Sequence, residues 1–96
     1  MKKIIVAPEA EADLDEITDY ISLDNPDRAE SFVGEIMSRF LTIGERPRSF
    51  PARSDLMQEL RSAVHAKYII LFVEFENHVR IIRVLNGARD LDELFS

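Results

Sequence analysis

The residues of this chain best suited to chemistry are arginines. Arg61 falls in a strand-like stretch, Arg80 and Arg83 fall on opposite faces of another, and Arg89 follows an Asn86-Gly87 turn. A guanidinium is a planar fork of donors that pairs with carboxylate or phosphate through two hydrogen bonds at once. Taken singly, each is expected to pair with one of the chain's eighteen acids. Arg83, Asn86 and Arg89, however, cluster where an apolar strand exits into a turn, and binding residues concentrate on loops held by a rigid scaffold. With Arg61 they form the candidate binding set. Other chemistries find little support. His65 and His78 sit in separate hairpin turns, where they are expected to be solvated, and the chain has no His-x-x-x-His pair. With no cysteine, a disulfide framework, a thiolate metal site and a cysteine nucleophile are excluded. No serine stands in Gly-x-Ser-x-Gly, and no glycine-rich loop offers to hold a phosphate. No catalytic residue, metal or cofactor is therefore assigned.

Six acids, Glu9, Glu11, Asp13, Asp15, Glu16 and Asp19, lie close together near the N-terminus. Catalytic carboxylates need contrasting environments that separate their pKa values, and six acids on one water-facing surface have none. They are expected to form a solvated face that repels RNA and DNA. The net charge of −6 is unevenly spread: residues 1–45 carry −7 and residues 46–96 carry +1. A general nucleic-acid binder is usually basic, so only a local patch in the second half suits a polyanion. Ninety-six residues predict a single domain over 1–96. The N-terminal apolar run is too short for a signal peptide, and nothing approaches a membrane span. A soluble cytoplasmic protein is expected.

Hydrophobic spacing supplies the elements that must position these residues. Lys2–Val6 is β-branched and stops before Pro8, which predicts a strand. Ala10, Leu14, Ile17 and Ile21 recur at offsets of four, three and four, which predicts a helix over 8–23 that starts at Pro8. Asn25-Pro26 caps and opens a second helix, whose inward positions are Ala29, Phe32, Val33, Ile36, Phe40 and Ile43, with Gly44 as its terminator. Residues 45–56 have no period and read as an arginine-rich loop. Then come three strands, Glu59–Val64, Tyr68–Phe75 and Val79–Leu85, joined by short turns into an antiparallel meander. The last is expected to alternate Val79, Ile81, Arg83 and Leu85 against Arg80, Ile82 and Val84. Asp90 is placed to cap a short helix, Leu91–Phe95. The order β-α-α-β-β-β-α predicts an α+β fold, a helical hairpin packed on a small antiparallel sheet.

Four segments in this order resemble the ParE branch of the RelE/ParE superfamily of type II toxin–antitoxin toxins. Ala7-Pro8-Glu9-Ala10-Glu11-Ala12-Asp13-Leu14-Asp15-Glu16-Ile17 is similar to that family's first-helix signature, and Asp24-Asn25-Pro26 with Ala29 to its interhelical link. Leu60-Arg61 followed by Tyr68-Ile69-Ile70-Leu71-Phe72 is similar to its hairpin. Val79 through Asp90 resembles its closing strand and turn, with Asn86 where the family usually has His. The resemblance implies a growth-arresting toxin, of the kind that serves plasmid stabilisation, which binds DNA gyrase and is neutralised by a cognate ParD-like antitoxin in a hetero-oligomer. It implies no membrane partner, and operator DNA contacted through the antitoxin rather than by the toxin alone.

RelE-like relatives instead cut mRNA on the ribosome with basic residues and a C-terminal tyrosine or histidine. Phosphodiester cleavage needs an acid–base group and cations around the phosphate. After Asn86 this chain offers one cation, Arg89, then Asp90, Asp92 and Glu93, with no tyrosine or histidine. A non-enzymatic gyrase-binding toxin is the expectation. The alternatives are a ribosome-dependent endoribonuclease and a binding domain of this fold that has lost toxicity.

Overall fold

The computed structural model describes residues 1–87, Asp90 and Leu91. The first strand, β1 (Lys3–Val6), leads through Ala7 into α1 (Pro8–Asp24), and α2 (Pro26–Glu45) follows at once. Asn25 makes that tight link possible by serving both helices. Its backbone N–H donates to Ile21 O at 3.0 Å, closing α1, and its side-chain oxygen accepts from Arg28 N at 3.0 Å, opening α2. A 3₁₀ turn (Pro47–Ser49) interrupts the arginine-rich loop, and then come β2 (Leu60–His65), β3 (Tyr68–Glu74) and β4 (His78–Asn86). The helix expected at 91–95 lies outside the described residues apart from Leu91. No described helix is long and apolar enough to cross a membrane.

The sheet order is β1-β4-β3-β2. The meander β2–β3–β4 is antiparallel as expected, while β1 lies parallel to β4, so the sheet is mixed. Its two faces carry different cores. Tyr68, Ile70 and Phe72 of β3 pack under the helical hairpin with Ala10, Phe32, Ile36, Phe40 and Ile43. Leu60, Leu71 and Leu85 form a smaller cluster on the opposite face, with Leu56 and Leu91 against it. That double burial explains why β3 reads as a nearly continuous apolar run. The helical hairpin thus needs only one buried face, and Val33, placed inward by sequence, is 45% exposed.

The expected alternation along β4 is broken by a bulge. Leu71 pairs with Arg83 and Phe72 with Ile81, so Ile82 is an extra residue on β4. Val79, Ile81 and Val84 accordingly face the helices, and Ile82 and Leu85 face the other way. A bulge re-aims the side chains beside it, and here the re-aimed side chain is Arg83.

Gly44 is not the terminator expected of it, because α2 continues through Glu45. It is a close-approach glycine. Lys2 N–H donates to Gly44 O at 3.0 Å, and a Cβ on Gly44 would stand 2.9 Å from Lys2 O. Backbone against backbone leaves no flexible atom to yield. Gly44→Ala is therefore expected to prise β1 from α2 and cost about 1–3 kcal/mol, the usual range for overpacking. Urea denaturation at neutral pH measures it, and Gly34→Ala, with open space around its Cβ, is the control expected to be neutral or stabilising.

Candidate functional site

β1 ends at Val6, opposite Ile81, but β4 runs on to Asn86. The last residues of β4 therefore have β3 on one side and no strand on the other. Their outward N–H groups are met by carboxylates. Asp13, on α1, accepts from Val84 N at 3.0 Å and from Arg83 Nε and Nη2 at 2.7 and 2.9 Å. Asp90 accepts from Asn86 N at 3.1 Å. The Asp13 side chain is only 13% exposed. One of the six acids read as a solvated face is thus a fastener between α1 and the sheet. The signal was available: position 13 stands three residues after Ala10 and four before Ile17, at the border of the apolar stripe.

The candidate binding residues are accordingly placed as follows. Arg83 forms a two-bond pair with Asp13, and Asn86 ends β4 beside Asp90. Arg61 lies two strands away on β2, where its Nη1 donates to Phe50 O at 2.7 Å and ties the arginine-rich loop to the sheet. Arg83 and Asn86 are brought together, Arg61 stands apart from them, and Arg89 lies outside the described residues. The loop's own arginines are largely engaged as well: Arg53 pairs with Asp55, and Arg48 with Glu74.

His65 is not the solvated turn residue expected. It closes β2, and its Nε2 lies 2.7 Å from Glu35 Oε1, while Arg28 grips the same carboxylate from two turns of α2 away. The Arg28 and His65 groups hold the Glu35 carboxyl below the usual carboxylate range, Arg28 contributing more. At the far end of the sheet Lys2 Nζ and Arg48 Nε bracket Glu74 at 2.8 and 3.0 Å and lower its carboxyl too, Lys2 first. Among the described residues no three His, Asp or Glu side chains converge in a way that could hold a metal ion.

What remains open to a partner is the helical hairpin. Val33, Met37 and Leu41 recur every four residues along α2 and are 45, 54 and 52% exposed. Between them and α1 runs a groove of about 260 Å³, with Leu14, Ile36 and Met37 in it and Glu11 and Asp15 along the α1 wall. An apolar stripe bordered by acids is complementary to an amphipathic helix whose flanks are basic.

Comparison with known proteins agrees with this architecture. The model of the family described as ParE toxin of type II toxin-antitoxin system, parDE, matches residues 4–91. A solved structure of the chromosomal ParDE TA system from P. aeruginosa superposes with a TM-score of 0.75 at 21% identity, over 90% of this chain and 96% of that one. At that identity the likeness is one of fold. A search of curated proteins gave no match.

Two outcomes follow from the ion pairs. Asp13→Ala leaves Val84 N–H and the Arg83 guanidinium without their acceptor, and is expected to cost roughly 1–3 kcal/mol, between the exposed and buried limits for such pairs; chemical denaturation measures it. Glu35 and Glu74 titrate lower folded than unfolded, so their contribution is present above about pH 4.3 and is lost as pH falls through the lower folded values. The stability gap between the native chain and a Glu35→Gln/Glu74→Gln variant should therefore be widest at pH 7 and close on acidification, as urea midpoints across that range would record.

Proposed function

This chain belongs to the ParE toxin family, and we propose that it works as the family resemblance implies: by binding DNA gyrase, without catalysis of its own, under the control of a ParD-like antitoxin. The observation that carries the neutralisation half is the exposed Val33–Met37–Leu41 stripe beside an acidic groove wall. A chain that folds around two complete cores has no internal use for three exposed apolar side chains in register, and such a stripe fits the apolar face of an antitoxin helix. The basic flanks that the acidic wall requires would come from that partner. With net charge −6, the toxin alone is not expected to bind operator DNA, which the antitoxin would contact.

The choice of gyrase binding over mRNA cleavage rests on what the arginines are doing. A nuclease needs its cations free for the scissile phosphate and an acid–base group beside them. Arg83 is occupied by Asp13, Arg61 donates to a main-chain carbonyl, and Asn86 does not titrate. In the proposed target surface Arg83 positions the closing end of β4, Asn86 and Arg89 make the contact, and Arg61 lies apart on β2 as a secondary contact. Arg89 is the first residue to change.

Met37→Asp is expected to leave the fold intact, since the side chain is half exposed, and to weaken antitoxin binding at least tenfold by titration calorimetry. Expression without antitoxin should raise an SOS response and filamentation, and Arg89→Ala should reduce both while binding antitoxin as before. Arrest of translation within minutes would favour the ribonuclease reading, and neither phenotype would favour a domain that has lost toxicity.

A further inference from the structure

A second recess lies on the other side of α1 from the groove. It encloses about 580 Å³ between the outer side of that helix and the closing end of the β3–β4 hairpin. Its cations are already engaged: Arg83 is bound to Asp13, and Lys67 Nζ lies 5.7 Å from the centroid of the Tyr68 ring. Among the groups it leaves available are a carboxylate and an aromatic ring. Glu16 is exposed and has neither ion pair nor hydrogen bond among the described residues. Tyr20, one turn further along the same face, is 66% exposed, and its ring has no partner there either. A carboxylate and an aromatic face four residues apart on a helix are within reach of one side chain.

The field around them has a definite sign. α1 carries seven acids and no Lys, Arg or His, more negative charge than the whole chain's net −6. An anionic ligand is repelled from this recess. A guanidinium or ammonium is favoured twice, by the carboxylate and by the negative face of the ring.

We propose that this recess is a socket for an arginine or lysine side chain of the antitoxin, seated against Glu16 and Tyr20. The inference rests on the toxin–antitoxin reading above and adds a second anchor to it. An antitoxin that lays a helix in the α1–α2 groove would also reach across α1, so that the acidic helix is gripped from both sides. Exposed aromatics that receive arginine are frequent anchors of protein interfaces.

The test is a titration of purified cognate antitoxin into the full-length toxin and its Glu16→Lys, Tyr20→Ala and Met37→Asp variants at low and physiological salt. Glu16→Lys and Tyr20→Ala should each weaken binding about tenfold or more without moving the thermal melt, because both side chains are exposed. Glu16→Gln should weaken it less and flatten the salt dependence. If Glu16→Lys and Tyr20→Ala both bind within twofold of the native toxin while Met37→Asp does not, the socket is wrong and the antitoxin reading stands. If the native toxin itself fails to bind the antitoxin, that reading falls and the socket with it.

Discussion

A sheet whose strands differ in length must satisfy the backbone of the longer one, and this molecule is organised around that constraint. β4 outruns β1, and a bare stretch of strand edge is both a desolvation cost and an invitation to aggregation. The Asp13 carboxylate resolves it by taking three N–H groups at once, one from the main chain and two from Arg83. The bulge at Ile82 turns Arg83 toward it, and the helical hairpin carries Asp13 to the right height. Helix, bulge and strand end are therefore joined through one carboxylate.

The other edge is closed by different means. Arg53 N–H donates to Leu60 O at 2.7 Å, Ser62 N–H to Pro51 O at 3.1 Å, and Arg39 Nη2 to Val64 O at 2.8 Å. The irregular segment after α2 thus works as a partial fifth strand along β2, and two of its arginines, Arg48 and Arg53, are paired with Glu74 and Asp55. With the β2 edge and the end of β4 occupied, the apolar surface open to a partner is on the helices, where the charge is almost wholly negative.

Most of the architecture was legible because it depends on periodicity. The helix faces of Ala10, Leu14, Ile17 and Ile21, the Asn25-Pro26 junction and the doubly buried β3 all follow from spacing and composition. Three features did not follow, each for a physical reason. The parallel partnership of β1 with β4 is a long-range pairing that local pattern does not encode. The β4 bulge is a one-residue insertion that leaves the sequence looking like plain alternation. Glu35 looks like any surface acid until tertiary structure supplies its partners, and Asp13 showed only its place at the border of the apolar stripe, not the strand end that it caps. Gly44 illustrates the same limit: a glycine near a helix end suggests a left-handed cap, but what excludes a side chain there is the neighbouring strand. Of the candidate site, the cluster of Arg83 and Asn86 was readable from their place at a strand end, while the exposed stripe of α2 was not, since Val33 carries the same spacing signal as the buried Phe32 and Ile36.

The pairing of β1 with β4 has a kinetic side. Lys3 stands opposite His78 and Val6 opposite Ile81, so the first strand made waits for the last before it has anything to pair with. Such a contact closes a loop of about three-quarters of the chain, which slows folding more than it weakens the folded state. During synthesis the helical hairpin, built from local contacts, is free to form long before the sheet is complete. The acidic hairpin with its apolar stripe is therefore on offer while the arginine-bearing end of β4 is still unmade. In a chain of this topology, the surface that recognition of the hairpin needs is complete in sequence about thirty residues before the strand that β1 pairs with.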